Sequence, residues 1–232
     1  TGWGVGAAVA EKIRRKPDTK LIGDCEELRN NLSDHVRYAS ELVDDIEGPG
    51  LFEGSQGAML SLDHGHYPHC CPKNVTVTAI AAELGLGYQR IRNVYGVVRA
   101  VMMRVPGPSG PTGGKEISYD EVEGRTGLRL PHHTRLQGDT TLWKAGAGAD
   151  EKANEERLFE ISMEELRKTN IWNNYTGLVL TFTDYHRRGN YRVRKWEDLH
   201  PDTKKMVMEL ERVAPVVLIR TGQGEHDNIW RV

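Results

Sequence analysis

The chain has 232 residues, which is enough for one large domain or two small ones. Its formal net charge of −2 excludes the strongly basic proteins that coat nucleic acid or bind membrane surfaces. No apolar run reaches the roughly 18 residues of a transmembrane helix, and three cysteines, two of them adjacent, disfavour a disulfide framework. We therefore expect a cytoplasmic protein with no nucleic-acid and no membrane partner.

Helix and strand patterns alternate along most of the chain. Apolar spacing and helix-ending residues predict helices over residues 7–16, 27–47, 76–85, 162–170 and 203–213. Short apolar runs that end in turns predict strands over residues 51–53, 94–105, 177–184 and 214–222. This alternation predicts an α/β fold with a mostly parallel central sheet flanked by helices.

Residues 115–154 form the longest stretch without a clear period. Their glycines, threonines and charges predict a loop with a mobile portion near residues 145–156. The helix that follows has a stronger start signal, because Ser162 and Glu165 are spaced as an N-cap and its capping-box partner. We interpret residues 1–232 as a single α/β domain.

Two of the predicted strands, 177–184 and 214–222, run directly into polar or glycine turns. In open α/β sheets, ligands gather at the carboxyl ends of the strands. Asp184 and Thr221–Gly224 therefore stand where a nucleotide can bind, although ordinary strand-end turns give the same pattern.

A cluster of potential metal ligands occupies one short stretch. Its members are Asp63, His64, His66, His69, Cys70 and Cys71. Adjacent side chains on an extended backbone point in opposite directions, so the two cysteines rarely reach one ion. No further Cys or His pair follows at zinc-finger spacing. We favour a local hydrogen-bonded role for these histidines over a structural zinc site.

Five sequence blocks stand in a fixed order along nearly the whole chain. They read TGWGVGAAVAEKIRR, FEGSQG with SLDHGHYPHCCPKN, YGVVRAVMMRVPGPSGPTG, GLVLTFTD and LIRTGQGEHDNI. Together and in this order they resemble the adenylosuccinate synthetase family. The resemblance implies a P-loop-NTPase-like architecture for the predicted sheet.

The resemblance also implies a reaction. ATP or GTP phosphorylates the 6-oxygen of a purine monophosphate, and the amino group of L-aspartate then displaces that phosphate. Mg²⁺ bridges the phosphates of the donor, and positioning and electrostatics supply most of the rate. The family's catalytic Asp and His, with its phosphate loop, are expected upstream of Thr1. We therefore assign no catalytic residue and no metal ligand within this chain, and expect the chain alone to be inactive.

Carried over position by position, the resemblance implies a binding set for the substrate nucleotide. Its members are Thr1, Gly2, Arg15, Gln56, Cys71, Asn74 and Val105. Thr1 and Gly2 would lie beside the phosphate, where a hydroxyl and a backbone without Cβ suit an anion. The amide of Gln56 would hold the purine edge, and the backbone of Val105 would line the sugar.

Arg15 would reach the phosphate of a neighbouring subunit's substrate, which implies a homodimer. From the sequence pattern alone, a solvated cation on a helix face is the favoured reading of this residue.

A second set would bind the base of the triphosphate. Its members are Phe182, Asp184, Thr221, Gly222 and Gln223. Asp184 would face the base, and the last three would flank it. Phe182 stands where the family has Lys, which gives a better stacking surface without charge.

Some positions depart from the family pattern. Cys71 stands where the family has a Thr beside the phosphate, and Pro72 and Pro106 replace a Ser and a Gly. These changes remove a hydroxyl and backbone N–H donors.

The arginine-rich loop with which the family grips aspartate is not recognisable. Arg157 falls on one of its arginines and is the first candidate for a carboxylate partner. Arg129, Arg135 and Lys144 are the alternatives.

These departures, with KEISYDEV and RLFEIS, resemble a divergent branch of the family, the phage synthetases that make 2-aminoadenine nucleotides. That branch acts on dGMP with an ATP-type donor, so we rank dGMP above IMP and expect the host cytoplasm if the chain is phage-encoded. An ordinary adenylosuccinate synthetase that uses IMP and GTP, and a catalytically inactive nucleotide-binding relative, are the alternatives.

Overall fold

The computed structural model describes residues 5–21, 24–32, 39–105, 109–128 and 156–231. The chain divides into two compact units, Thr1–Ile91 and Arg92–Val232. None of the helices within the described ranges has the length and apolar character needed to cross a bilayer.

The described part of the first unit is built from helices and loops. Its helices are α1 Val5–Arg14, α2 Glu26–Leu32, α3 Ala39–Asp44 and α4 Val77–Glu83, with 3₁₀ turns at Ala58–Leu60 and Tyr88–Arg90. The Thr76 hydroxyl accepts a hydrogen bond from the Ala79 amide at the start of α4. Gly85, at φ +68°, follows its end. The predicted helices at residues 7–16 and 76–85 are confirmed. Of the predicted helix 27–47, residues 27–32 and 39–44 are helical, residues 45–47 are not, and 33–38 lie outside the described ranges.

The predicted strand at Leu51–Glu53 is wrong. These residues have no regular secondary structure, and 90% of the Leu51 surface is exposed. A strand needs a neighbouring strand to share its backbone hydrogen bonds, and the described residues of the first unit contain none.

The second unit carries a four-stranded sheet. Its strands are β1 Tyr95–Arg99, β5 Gly177–Thr181, β6 Val216–Arg220 and β7 Asn228–Trp230. β1, β5 and β6 are parallel neighbours, and β7 pairs antiparallel with β6. The fold class, an α/β fold with a mostly parallel sheet flanked by helices, is confirmed. The predicted strand at residues 214–222 is confirmed as β6, but it is not the last strand, because the unpredicted β7 follows it.

Two helices cover this sheet with apolar side chains. They are α6 Met163–Asn173 and α8 Pro201–Leu210. Leu178 and Ile219 of the sheet and Val207 and Leu210 of α8 are completely buried in one core. Ser162 caps α6 by accepting from the Glu165 amide, as the capping-box pattern predicted.

A second, antiparallel sheet corrects two predictions. Its strands are β2 Met102–Arg104, β3 Glu116–Ile117 and β4 Arg157–Phe159, in the order β2-β4-β3. The apolar run 94–105 is therefore two strands in two sheets, separated by a bend at the buried Ala100 and Val101. The predicted loop at residues 115–154 is wrong at its start, where β3 and helix α5, Tyr119–Thr126, form. Its predicted mobile portion lies mostly in residues 129–155, outside the described ranges.

Candidate functional site

In the first unit, Asn74 ties together the loop that precedes it. Its side-chain oxygen accepts from the Ser61 hydroxyl at 2.9 Å and from the Asp63 amide at 3.0 Å. Its NH₂ group donates to the Asp63 carboxylate at 2.5 Å. Ser61 is fully buried and accepts from the Val75 amide at 3.2 Å. The network therefore fixes residues 61–75 as one structural feature, the Asn74 loop.

Cys71 is engaged with the backbone of the same loop. Its thiol lies 2.9 Å from the Leu60 carbonyl oxygen and 3.2 Å from that of Lys73, and its amide donates to Leu60 at 2.8 Å. All three cysteines are free thiols. Within the described ranges, no group of three or more His, Cys, Asp and Glu side chains is arranged to hold a metal ion.

Gly65 is required by the tight path of this loop. A Cβ there would lie 2.2 Å from the Met59 carbonyl oxygen and 2.6 Å from that of Ser61. The Gly65 amide donates to Ser61 at 2.8 Å. No side chain fits so close to two carbonyl groups.

Gln56 and Arg15 are exposed residues of the first unit. Gln56 lies between Gly54 and Gly57 with φ +75°, and Arg15 follows α1 with φ +50°. Thr1 and Gly2 lie outside the described residues, as do Pro106 and the alternative aspartate ligands Arg129, Arg135 and Lys144.

In the second unit, Arg157 is held by a carboxylate of its own chain. Its guanidinium donates to Glu116 through Nε at 2.9 Å and Nη2 at 2.5 Å, and to the Gly110 carbonyl at 3.0 Å. This bidentate pairing lowers the pKa of Glu116. Arg104 lies opposite Arg157 in the strand register, one residue before Val105, and burial together with the charge of Arg157 lowers the Arg104 pKa. The Arg157 guanidinium is therefore already paired with a carboxylate within this chain.

The carboxyl ends of β5 and β6 bring the second predicted set together. Leu180 pairs with Ile219 in parallel register, so Phe182 and Thr221 leave the sheet at the same edge. We call the surface formed by Phe182, Asp184 and Thr221–Gln223 the strand-end site. Asp184 belongs to the short helix α7, Thr183–His186, and only 7% of its surface is exposed.

The electrostatics of Asp184 reflect this position. Burial raises the pKa of its carboxyl, while hydrogen bonds from the backbone amides of Asp184 and Tyr185 and the charge of Arg188 oppose the rise. The nearby charge of Asp227 adds to it. A carboxylate that keeps this small exposed area can accept hydrogen bonds from an amino group of a base.

Phe182 provides an aromatic surface at the site. It has φ +58° and is 37% exposed. The Arg99 guanidinium lies 5.0 Å from its ring centroid, and Tyr185 packs edge-on at 5.4 Å. The ring is thus fixed on one side and accessible on another, which suits stacking on a planar ligand.

Thr221 and Gly222 are fixed by the chain around them. Thr221 is fully buried, donates its hydroxyl to the Val193 carbonyl at 2.7 Å and its amide to the Asp227 carbonyl at 2.9 Å. A Cβ at Gly222 would lie 2.7 Å from the Asp227 carboxylate. Gln223 is exposed. Sequence reasoning missed Asp227, which belongs to the quoted LIRTGQGEHDNI block but matches no expected ligand position.

A model of the family described as Adenylosuccinate synthetase matches residues 7–185. The chain belongs to the adenylosuccinate synthetase family. The adenylosuccinate synthetase of Methanocaldococcus jannaschii is 29% identical over 231 residues, which are 99% of this chain and 60% of that protein. The Thermococcus onnurineus enzyme is 31% identical over 225 residues, 96% of this chain and 59% of that protein. The chain thus spans about 60% of the length of the curated relatives it matches.

Two solved structures share the fold. The cyanophage S-2L succinoaminodeoxyadenylate synthetase, bound to dGMP and to dATP as an energy donor, is 26% identical with a TM-score of 0.70, covering 98% of this chain and 60% of that one. The fully ligated adenylosuccinate synthetase of Plasmodium falciparum is 15% identical with a TM-score of 0.67, covering 95% and 60%. The second similarity shows the fold alone.

Proposed function

We propose that the protein is a purine nucleotide ligase. It joins L-aspartate to the 6-position of a purine monophosphate, with dGMP preferred, through a 6-phosphoryl intermediate formed at the expense of ATP. The family match over residues 7–185 is the observation that carries the proposal. Both units would belong to one ligase domain, and the protein would act as a homodimer in which Arg15 reaches the partner's substrate.

The Asn74 loop is the proposed place of the substrate nucleotide in the first unit. Gln56 would bind the purine edge, because a primary amide can donate and accept there at once. The side-chain amide of Asn74 is already hydrogen-bonded to Ser61 and Asp63, so this residue would act mainly by fixing the loop. Cys71 would be a poorer donor than the family's hydroxyl residue, because a thiol donates weakly. Its thiol also already faces the carbonyl oxygens of Leu60 and Lys73.

The strand-end site is the proposed place of the donor base. Phe182 would stack on the base and Asp184 would accept hydrogen bonds from its amino group, with Thr221, Gly222 and Gln223 along its edge. An uncharged ring at residue 182 suits an adenine-type donor, and the cyanophage structure with dATP supports this choice.

Arg157 is the proposed partner of the aspartate substrate. It would exchange the Glu116 carboxylate for a carboxylate of the substrate, which keeps the guanidinium paired throughout. Mg²⁺ would enter with the donor phosphates. In keeping with the resemblance, the proposal assigns Mg²⁺ no ligand within this chain.

A second candidate is an ordinary adenylosuccinate synthetase that uses IMP and GTP. The archaeal relatives at 29–31% identity carry that name and support it.

Competition among monophosphates distinguishes the two. The protein at its full natural length is given equal dGMP, GMP and IMP with aspartate and either ATP or GTP, and the succinylamino products are separated by mass. We expect the dGMP product to dominate with ATP. Dominance of the IMP product with GTP would replace our proposal by the second candidate, and nucleotide binding without any product would indicate an inactive relative. Omission of aspartate is the control.

A further inference from the structure

Asp227 is a buried carboxylate that holds the turn of the strand-end site at both ends. Its backbone carbonyl accepts from the Thr221 amide at 2.9 Å, and its side chain accepts from the Gly224 amide at 3.0 Å. Only 4% of its surface is exposed. Gly222 and Gly224 both approach it so closely that a Cβ at either would lie 2.7 Å from its Oδ2. The residues between these contacts, Gly222 and Gln223, have little freedom to move.

Two arginines face the same carboxylate from the neighbouring segment. Arg192 Nε lies 3.7 Å and Arg194 Nη2 lies 3.8 Å from its oxygens, which is beyond hydrogen-bond distance. Their side chains are 65% and 63% exposed. The Arg192 amide donates to the Thr221 carbonyl at 3.1 Å, so this segment is joined to the turn itself. Two exposed cations thus lie within 4 Å of one buried carboxylate at the edge of the site.

The charge of Asp227 also reaches the residue expected to bind the base. It is one of the influences that raise the pKa of Asp184, although burial is the larger one. The two carboxylates therefore act in one electrostatic environment. Burial of an ionised carboxylate costs free energy, and closing the turn needs only an acceptor for the Gly224 amide. An asparagine would supply that acceptor, so the closure of the turn does not by itself explain why residue 227 is a carboxylate.

We propose that Asp227 is a positioning residue for the donor nucleotide. It fixes the Thr221–Gly224 turn against the base, and its charge orients Arg192 and Arg194 beside the bound base. The proposal rests on the proposed function of the strand-end site. It deepens that function by naming a residue that positions the donor without touching the reacting atoms.

The test separates donor binding from the rest of the reaction. Asp227→Asn keeps an acceptor for the Gly224 amide and removes the charge. We expect the KM for ATP to rise about tenfold, as for loss of a charged partner, while kcat and the KM for dGMP stay within about twofold of wild type. Replacing both arginines with alanine should raise the KM for ATP similarly, and Asp227→Asn should add little to that variant. The exposed Asp198→Asn is the matched control.

Two results would overturn the positioning role. One is an unchanged KM for ATP in Asp227→Asn; the other is an equal weakening of ATP, dGMP and aspartate with a lower Tm, which indicates a general folding role. If wild-type protein makes no succinylamino product, the proposed function itself fails. Calorimetric binding of ATP to the wild-type and Asp227→Asn chains then decides the role of Asp227: about tenfold weaker binding supports it and equal binding refutes it.

Discussion

His186 ends helix α7 with only 9% of its surface exposed. Its Nδ1 lies 2.9 Å from the Thr203 hydroxyl, which also accepts from the Asn190 amide group at 2.8 Å. Burial, with the charges of Arg187 and Arg125, lowers the His186 pKa to about 4. The imidazole is therefore neutral in the folded protein at neutral pH and serves as a hydrogen-bonding core residue two positions from Asp184.

This depressed pKa makes stability depend on pH. In the unfolded chain His186 becomes protonated as the pH falls below about 6.5. In the folded protein it becomes protonated only near pH 4. As the pH is lowered from about 6.5 to about 4, this residue should therefore reduce the free energy of unfolding by roughly 3 kcal/mol. His186→Gln should lack this contribution, so its free energy of unfolding, measured by urea denaturation, should change less between these two pH values than that of the wild type. An undiminished dependence would contradict the assignment, and the exposed His226→Gln is the control.

Gln56 provides a residue-scale test in the first unit. Removing its amide in Gln56→Ala should weaken dGMP binding by about 1–3 kcal/mol, because a hydrogen-bonding partner of the purine is lost. Isothermal titration calorimetry measures the change. Gln89→Ala removes another exposed amide, from the 3₁₀ turn Tyr88–Arg90, and should leave the affinity unaltered. Equal affinities of wild type and Gln56→Ala would remove Gln56 from the site.

At the level of single elements, two helices of the second unit begin with the same capping pattern. Ser162 and Glu165 precede α6, and Ser118 and Glu121 precede α5 with the same spacing and the same hydroxyl-to-amide bond. The second pair is harder to read from the sequence because α5 is only eight residues long and Val122 is its only aliphatic side chain. Strands β3 and β4, of two and three residues, are too short to show alternation and are defined by their tertiary pairing.

The caps give a prediction that treats both helices alike. Ser118→Ala and Ser162→Ala should each lower the free energy of unfolding by about 1 kcal/mol, since each leaves a first-turn amide without its acceptor. Denaturant unfolding measures both. Ser118→Asp should restore most of the loss, because a carboxylate accepts the same bond. A null effect of Ser118→Ala would mean that α5 does not depend on its cap.

At the scale of the whole molecule, the fold class followed from the sequence more securely than the site did. Alternating strands and helices predicted the parallel sheet, and strand-end turns predicted the placement of Asp184 and Thr221. The pairing of Arg157 with Glu116 was not predictable, because the two residues are 41 positions apart in the chain. The burial of Asp227 was not predictable either, because it depends on the path of an irregular turn. The roles of the site residues stay predictions.

In the proposed reaction, the 6-oxygen of a purine monophosphate is phosphorylated and then leaves as phosphate when the amino group of aspartate displaces it. Protein at its full natural length is incubated with dGMP carrying ¹⁸O at the 6-position, aspartate and ATP, and the phosphate released is analysed by mass spectrometry. We predict one ¹⁸O atom in each phosphate released together with a succinylamino nucleotide. Unlabelled phosphate, with the label kept in the nucleotide or lost to water, would contradict the account.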